Sequence, residues 1–121
     1  MKLEICIDSF DGIIGAAAGG ADRVEICSAL SVGGLTPSAG LVDICCKYEN
    51  IEKFVMLRPR PGHFTYDDFE IGEMKATILA FKDKPIDGFV LGVLDSEGRL
   101  CLLYTSPSPR DISGSRMPSS A

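Results

Sequence analysis

Two cysteines, Cys6 and Cys27, each follow a glutamate by two positions, in Glu4-x-Cys6 and Glu25-x-Cys27. In an extended chain, residues two apart share a face, so each pair turns a carboxylate and a thiol to the same side. Parallel strands lie about 4.8 Å apart, which lets thiols on adjacent strands share one metal ion. A soft cation such as Cu(I) selects thiolate donors, and binding holds the sulfurs deprotonated. The same two residues equally suit small, inert thiols that pack an interior. Cys45-Cys46 differs, because neighbours on a helix point about 100° apart. That spacing expects one in the core and one near the surface.

A second constellation is electrostatic. Glu4, Asp8 and Glu25 share faces with the cysteines, while Arg58 and Arg60 share a face of their own segment. Where such faces are buried, carboxylates and guanidiniums are expected to pair, because an isolated buried charge is costly. Arg58 and Arg60 can grip an anionic ligand in fork geometry, and Glu25 or Asp8 can serve as general base. A purely structural ion network satisfies the same pattern. His63 is the single histidine of the chain. It reads as a general acid/base, a further metal ligand or a solvated loop residue. The glycine pairs Gly19-Gly20 and Gly33-Gly34 form no phosphate-binding pattern and read as turn residues.

The elements that must carry these residues follow from periodicity. Residues 2–8 alternate, with Leu3, Ile5 and Ile7 opposite Glu4, Cys6 and Asp8, as a strand requires. A short helix is expected over 9–20, capped by Ser9, with an Ile13/Ile14/Ala17 face and Gly19-Gly20 as its end. Residues 23–28 alternate again, and a glycine-bearing loop spans 29–35. Thr36-Pro37 reads as cap and first helical residue of a helix to about Tyr48. A third strand is expected over 53–60. Thr65-x-x-Asp68 resembles a capping box opening a helix with Ile71, Met74, Ile78 and Phe81 at helical spacing. Residues 87–95 form a fourth strand. The order β-α-β-α-β-α-β predicts an α/β fold, a parallel sheet with crossover helices.

Five stretches, taken in order, resemble the CutC copper homeostasis protein family. They are Glu4-Ile5-Cys6-Ile7-Asp8-Ser9, the run from Gly19-Gly20-Ala21-Asp22 through Arg23-Val24-Glu25-Ile26-Cys27-Ser28, and Gly33-Gly34-Leu35-Thr36-Pro37-Ser38-Ala39-Gly40. Phe54-Val55-Met56-Leu57-Arg58-Pro59-Arg60 and Asp87-Gly88-Phe89-Val90-Leu91-Gly92-Val93-Leu94-Asp95 complete the set. One departure is Arg60-Pro61-Gly62-His63-Phe64, where the family usually has Arg-Gly-Gly-Asp-Phe. The resemblance implies an incomplete TIM (β/α)8 barrel of which residues 1–100 supply the first half. It also implies a cytoplasmic, copper-handling protein, homo-oligomeric at full length, with Cys6 and Cys27 as ligands of Cu(I). In such a barrel the C-terminal strand ends form the active-site mouth. Asp8, Ser28, Arg58, Arg60 and Asp95 fall at those ends, with His63 in a loop on the same side. The rival expectation is a barrel enzyme acting on a small anionic metabolite, held by Arg58, Arg60, Ser28 and His63.

Residues 101–121 change character. Six serines and three prolines occupy that stretch, and no apolar period follows Tyr104. A disordered, non-native tail is expected, because such a segment cannot offset its ordering entropy. Cys101 to Asp111 and Ser115 to Ala121 resemble the translated ends of a transposase-type sequencing adapter. Over all 121 residues the chain is 45% apolar with a net charge of −5, which argues against wholesale disorder and against nucleic acid or an anionic membrane as partner. No apolar run approaches the roughly 18 residues of a membrane span, and no secretory signal opens the chain. A copper ion or a small molecule is the partner expected, and none of the five cysteines is expected in a stable disulfide.

Overall fold

The structure, a computed structural model, describes residues 2–91. Met1 and residues 92–121 lie outside it, and with them Asp95, Cys101, the end of the fourth expected strand and the expected tail. The order is β1 (Glu4–Ile7), α1 (Phe10–Ala18), β2 (Arg23–Ile26), α2 (Ala39–Cys45), β3 (Glu52–Leu57), α3 (Asp68–Phe81) and β4 (Gly88–Leu91). A 3-10 turn, Leu30–Val32, interrupts the loop after β2. The strands make one sheet in sequential order, every pair parallel, as the alternation of elements predicts.

Period-two alternation gives this sheet two unlike faces. Ile7, Val24, Ile26, Val55, Leu57 and Phe89 join Ile13, Ala16, Val42, Cys45, Met74, Ile78 and Phe81 from the helices in one apolar core. The intervening positions, among them Cys6, Glu25, Cys27, Phe54, Met56 and Val90, lie on the opposite face, apart from that core. Cys45 is buried in the core and Cys46 is half-buried, as their helical neighbourhood requires.

Two aspartates hold the stagger of the strands. Asp22, just before β2, accepts from the Leu3 N–H at 2.7 Å and returns its own N–H to the Leu3 carbonyl at 2.8 Å. Asp87, just before β4, repeats the device, accepting from the Lys53 N–H at 2.8 Å and donating to its carbonyl at 2.7 Å. A slip of one residue would turn every thiol and carboxylate of a strand into the apolar layer.

The helix boundaries move where tertiary bonds compete with local ones. Ser9 caps α1 by accepting from the Gly12 N–H at 3.1 Å, as expected. The buried face is Ile13 and Ala16, however, and Ile14 is 45% exposed because it lies about 100° around the helix. α2 begins later than the Thr36-Pro37 reading, with Ser38 as its cap, accepting from the Leu41 N–H at 3.1 Å. Thr36 is spent elsewhere: its Oγ1 accepts from the Arg58 N–H at 2.9 Å and its N–H donates to the Arg58 carbonyl at 3.0 Å. That exchange also ends β3 at Leu57, three residues short of the expected strand. The capping box of α3 is Asp67 with Glu70, not Thr65 with Asp68. Asp67 Oδ1 accepts from the Glu70 N–H at 2.8 Å, and Glu70 Oε1 accepts from the Asp67 N–H at 2.9 Å.

Asp67→Ala should therefore lower stability by about 1 kcal/mol, the cost of a lost N-cap. Asp68→Ala should cost less, and equilibrium urea unfolding of the two variants reads the order.

Candidate functional site

The face of the sheet away from the helices gathers the two thiols. β1 and β2 pair with Cys6 opposite Glu25, and the Cys27 N–H donates to the Ile7 carbonyl at 2.9 Å, extending the ladder one step. The pairing brings the Cys27 side chain into hydrogen-bond reach of Cys6. Cys6 is exposed and Cys27 is buried. The Cys27 thiol donates to the Glu25 carbonyl at 3.4 Å. The contact splits the two titrations. Cys6 is brought down to about 7, chiefly because Cys27 donates to its thiolate. Cys27 is pushed up by donating that bond, then by burial, with the negative charges of Cys6, Glu25 and Asp8 adding to the effect.

Glu25 sits at the same spot, only 2% exposed. Burial raises its carboxyl to about 7, the Cys6 thiolate adds to the rise, and the Arg23 guanidinium opposes it. Arg23, which sequence reasoning passed over, lies 3.8 Å from Glu4, 3.5 Å from Glu52 and over the Phe54 ring at 4.6 Å. Its position, two before Glu25 in an alternating strand, was the signal that places it on this face. Asp8 is exposed just beyond β1, close enough for its charge to act on Cys27.

The remaining predicted residues divide. Arg58 is 5% exposed and makes no ion pair among the described residues. Backbone carbonyls receive its guanidinium instead: Val32 at 2.7 Å, Gly34 at 3.2 Å and Gly62 at 3.1 Å, with the Phe64 ring beneath at 5.0 Å. Burial thus did not force a carboxylate partner here, because carbonyl oxygens supply the negative ends of the bonds. The arginine ties the loops after β2 and β3 together. Arg60 does pair, with Glu70, and also donates to the His63 and Thr65 carbonyls at 2.8 Å each. Those bonds commit it to the start of α3. The Ser28 hydroxyl donates to the Thr36 carbonyl at 2.9 Å, and Ser28 bridges Leu35 through its backbone. His63 is exposed, its Nδ1 accepting from the Thr65 N–H at 3.3 Å.

Cys6, Cys27, Glu25 and Asp8 are therefore brought together, with Arg58 one loop away, while Arg60 and His63 stand apart. Two sulfurs within reach of one another form a donor pair suited to a soft monovalent cation. No cluster of three or more His, Cys, Asp or Glu suited to a metal occurs among the described residues. No described helix is long and apolar enough to cross a membrane.

A sequence model of the CutC family matches residues 1–106. The human copper homeostasis protein cutC homolog is 46% identical over 98 residues, covering 81% of this chain and 36% of that protein. Its namesake from Caenorhabditis elegans is 46% identical over 101 residues, 83% of this chain and 40% of the relative. The crystal structure of CutC from Streptococcus agalactiae superposes with a TM-score of 0.72 at 36% identity, over 79% of this chain and 48% of that one. The chain spans about two fifths of the length of the curated relatives it matches. The four parallel strands with their helices match part of that CutC structure.

Two outcomes follow from the paired titrations. Alkylation of Cys6, located by peptide mapping, should show a midpoint near pH 7, and Cys27→Ala should move it up by removing the donor. Glu25 has a folded pKa above its unfolded one, so its contribution is present at low pH and lost as pH rises from 4.5 to about 7. Glu25→Gln should therefore raise the urea midpoint at pH 8 and lose that advantage towards pH 4.

Proposed function

Because this chain belongs to the CutC family, we propose that it takes Cu(I) as cargo on the thiolates of Cys6 and Cys27, serving copper homeostasis in the cytoplasm. The observation that carries this reading is the placement of two thiols on one face of adjacent paired strands, close enough for each to shift the other's titration. Thiolates are the donors Cu(I) prefers, and a reducing compartment keeps both available. One thiol is already easily ionised, so the first sulfur is ready to bind near neutral pH. The second is buried and loses its proton to solvent only as the metal displaces it. Binding is an exchange: Cu(I) enters, up to two protons leave to solvent, and copper keeps its oxidation state. Copper homeostasis is supported by the names of the human and nematode relatives.

A second reading rests on Glu25. A carboxyl 2% exposed and raised to about 7 is poised to exchange a proton with a bound substrate near neutral pH. In that reading the site takes a small anionic metabolite, Arg58 supplies positive charge beside it, and Asp8 assists.

Cu(I) binding by the full chain, measured by competition with a chromophoric Cu(I) chelator, should be stoichiometric and vanish in the Cys6→Ser/Cys27→Ser double variant. Apparent affinity should rise with pH, releasing about two protons per copper below pH 7 and about one above it, since Cys6 ionises near 7. Unchanged affinity in the double variant would remove both residues as ligands. A metabolite whose binding is lost in Glu25→Gln but kept in Cys27→Ser would favour the second reading.

A further inference from the structure

We propose that the thioether of Met56 is a third sulfur donor to Cu(I), completing a three-sulfur site with Cys6 and Cys27 across three adjacent strands. The assignment rests on the Cu(I) reading of the two cysteines. Register supplies the first argument. β2 and β3 pair Ile26 with Val55, so one further residue sets Cys27 beside Met56, on the face away from the helices. Val55 and Leu57, the neighbours of Met56 in the chain, belong to the apolar core on the other side.

Proximity supplies the second. Gly34 holds φ +94, and a Cβ placed on it would meet Cys27 Sγ at 3.4 Å and Met56 Cε at 3.4 Å. The two side chains therefore close on the same point, within twice that distance of each other. Arg58 holds this loop through its bond to the Gly34 carbonyl at 3.2 Å.

Chemistry supplies the third. Thiolates and thioethers are the soft donors that select Cu(I). A thioether adds a donor without adding charge. That matters here, because two thiolates on one Cu(I) already leave a net negative centre beside the buried Glu25. A third cysteine would deepen that repulsion, whereas methionine avoids it. The side chain is also unbranched and adaptable, so its sulfur can swing to a metal with little disturbance of the surrounding packing.

The test separates this site from the reading beneath it. The full chain is loaded with one Cu(I) and examined by X-ray absorption at the copper edge, with methionine replaced by selenomethionine in a second preparation. The expected result is three sulfurs around copper in the first sample and a copper–selenium path in the second. Met74 does not compete for that path, since it belongs to the core behind the sheet. Selenomethionine-labelled Met56→Leu, which keeps Met1, Met74 and Met117, should show no copper–selenium path. Met56→Leu, which preserves volume, should weaken Cu(I) affinity by about tenfold, roughly the effect of one lost interaction of moderate strength. Its apo melting temperature should stay close to that of the parent. Two sulfurs, no selenium path and unchanged affinity in Met56→Leu would overturn the proposal while leaving the cysteine pair intact. Loss of the cysteine dependence itself would instead overturn the reading on which it rests.

Discussion

The stagger of four parallel strands is the constraint on which this molecule depends. Side chains alternate with a strict period of two, so the choice of register decides whether a thiol meets another thiol or an isoleucine. Asp22 and Asp87 enforce that choice at the entrances of β2 and β4, each exchanging two hydrogen bonds with the strand beside it. Because the devices are side-chain to backbone, they act on position along the strand and not merely on pairing.

From that register the polarity of the two faces follows. One side buries branched aliphatic residues against three helices. The other collects sulfur, carboxylate and guanidinium, groups that are expensive to bury without partners. The molecule meets that cost in several ways. The Cys27 thiol donates to the Glu25 carbonyl, Arg23 spans Glu4 and Glu52, and Arg58 is wrapped in carbonyl oxygens. The Thr36–Arg58 exchange links the loop after β2 to the end of β3, so the groups at this end of the sheet are set by one connected set of bonds.

On the proposed Cu(I) reading, paired thiols and a raised carboxyl in one place would tie proton release to metal capture. The first sulfur ionises near neutral pH because the second donates to it. A cation that replaces the shared proton therefore meets a site already biased toward thiolate, and Glu25 feels the resulting charge. The two proposed readings, Cu(I) binding and proton exchange with a substrate, draw on the same few residues of this face.

Much of this was legible in the chain. Alternation in the first two strands put Glu4 with Cys6 and Glu25 with Cys27, and the order of periodic segments implied a parallel sheet, because short-range pattern fixes which residues share a face. The stretches resembling CutC carried the family. Less was legible where a residue had two local options. Thr36 can cap a helix, yet it bonds Arg58; Thr65 and Asp68 have the right spacing for a capping box, yet Asp67 and Glu70 form it. Arg58 and Arg60 are alike in sequence, but one is held by carbonyls and the other by Glu70. In each case the deciding partner lies across the fold or around a loop. Pattern along the chain thus sufficed for elements and faces, while the contacts of Cys6 with Cys27 and of Gly34 with Cys27 and Met56 arose only when distant segments packed, since separations in space are not written in spacing along the chain.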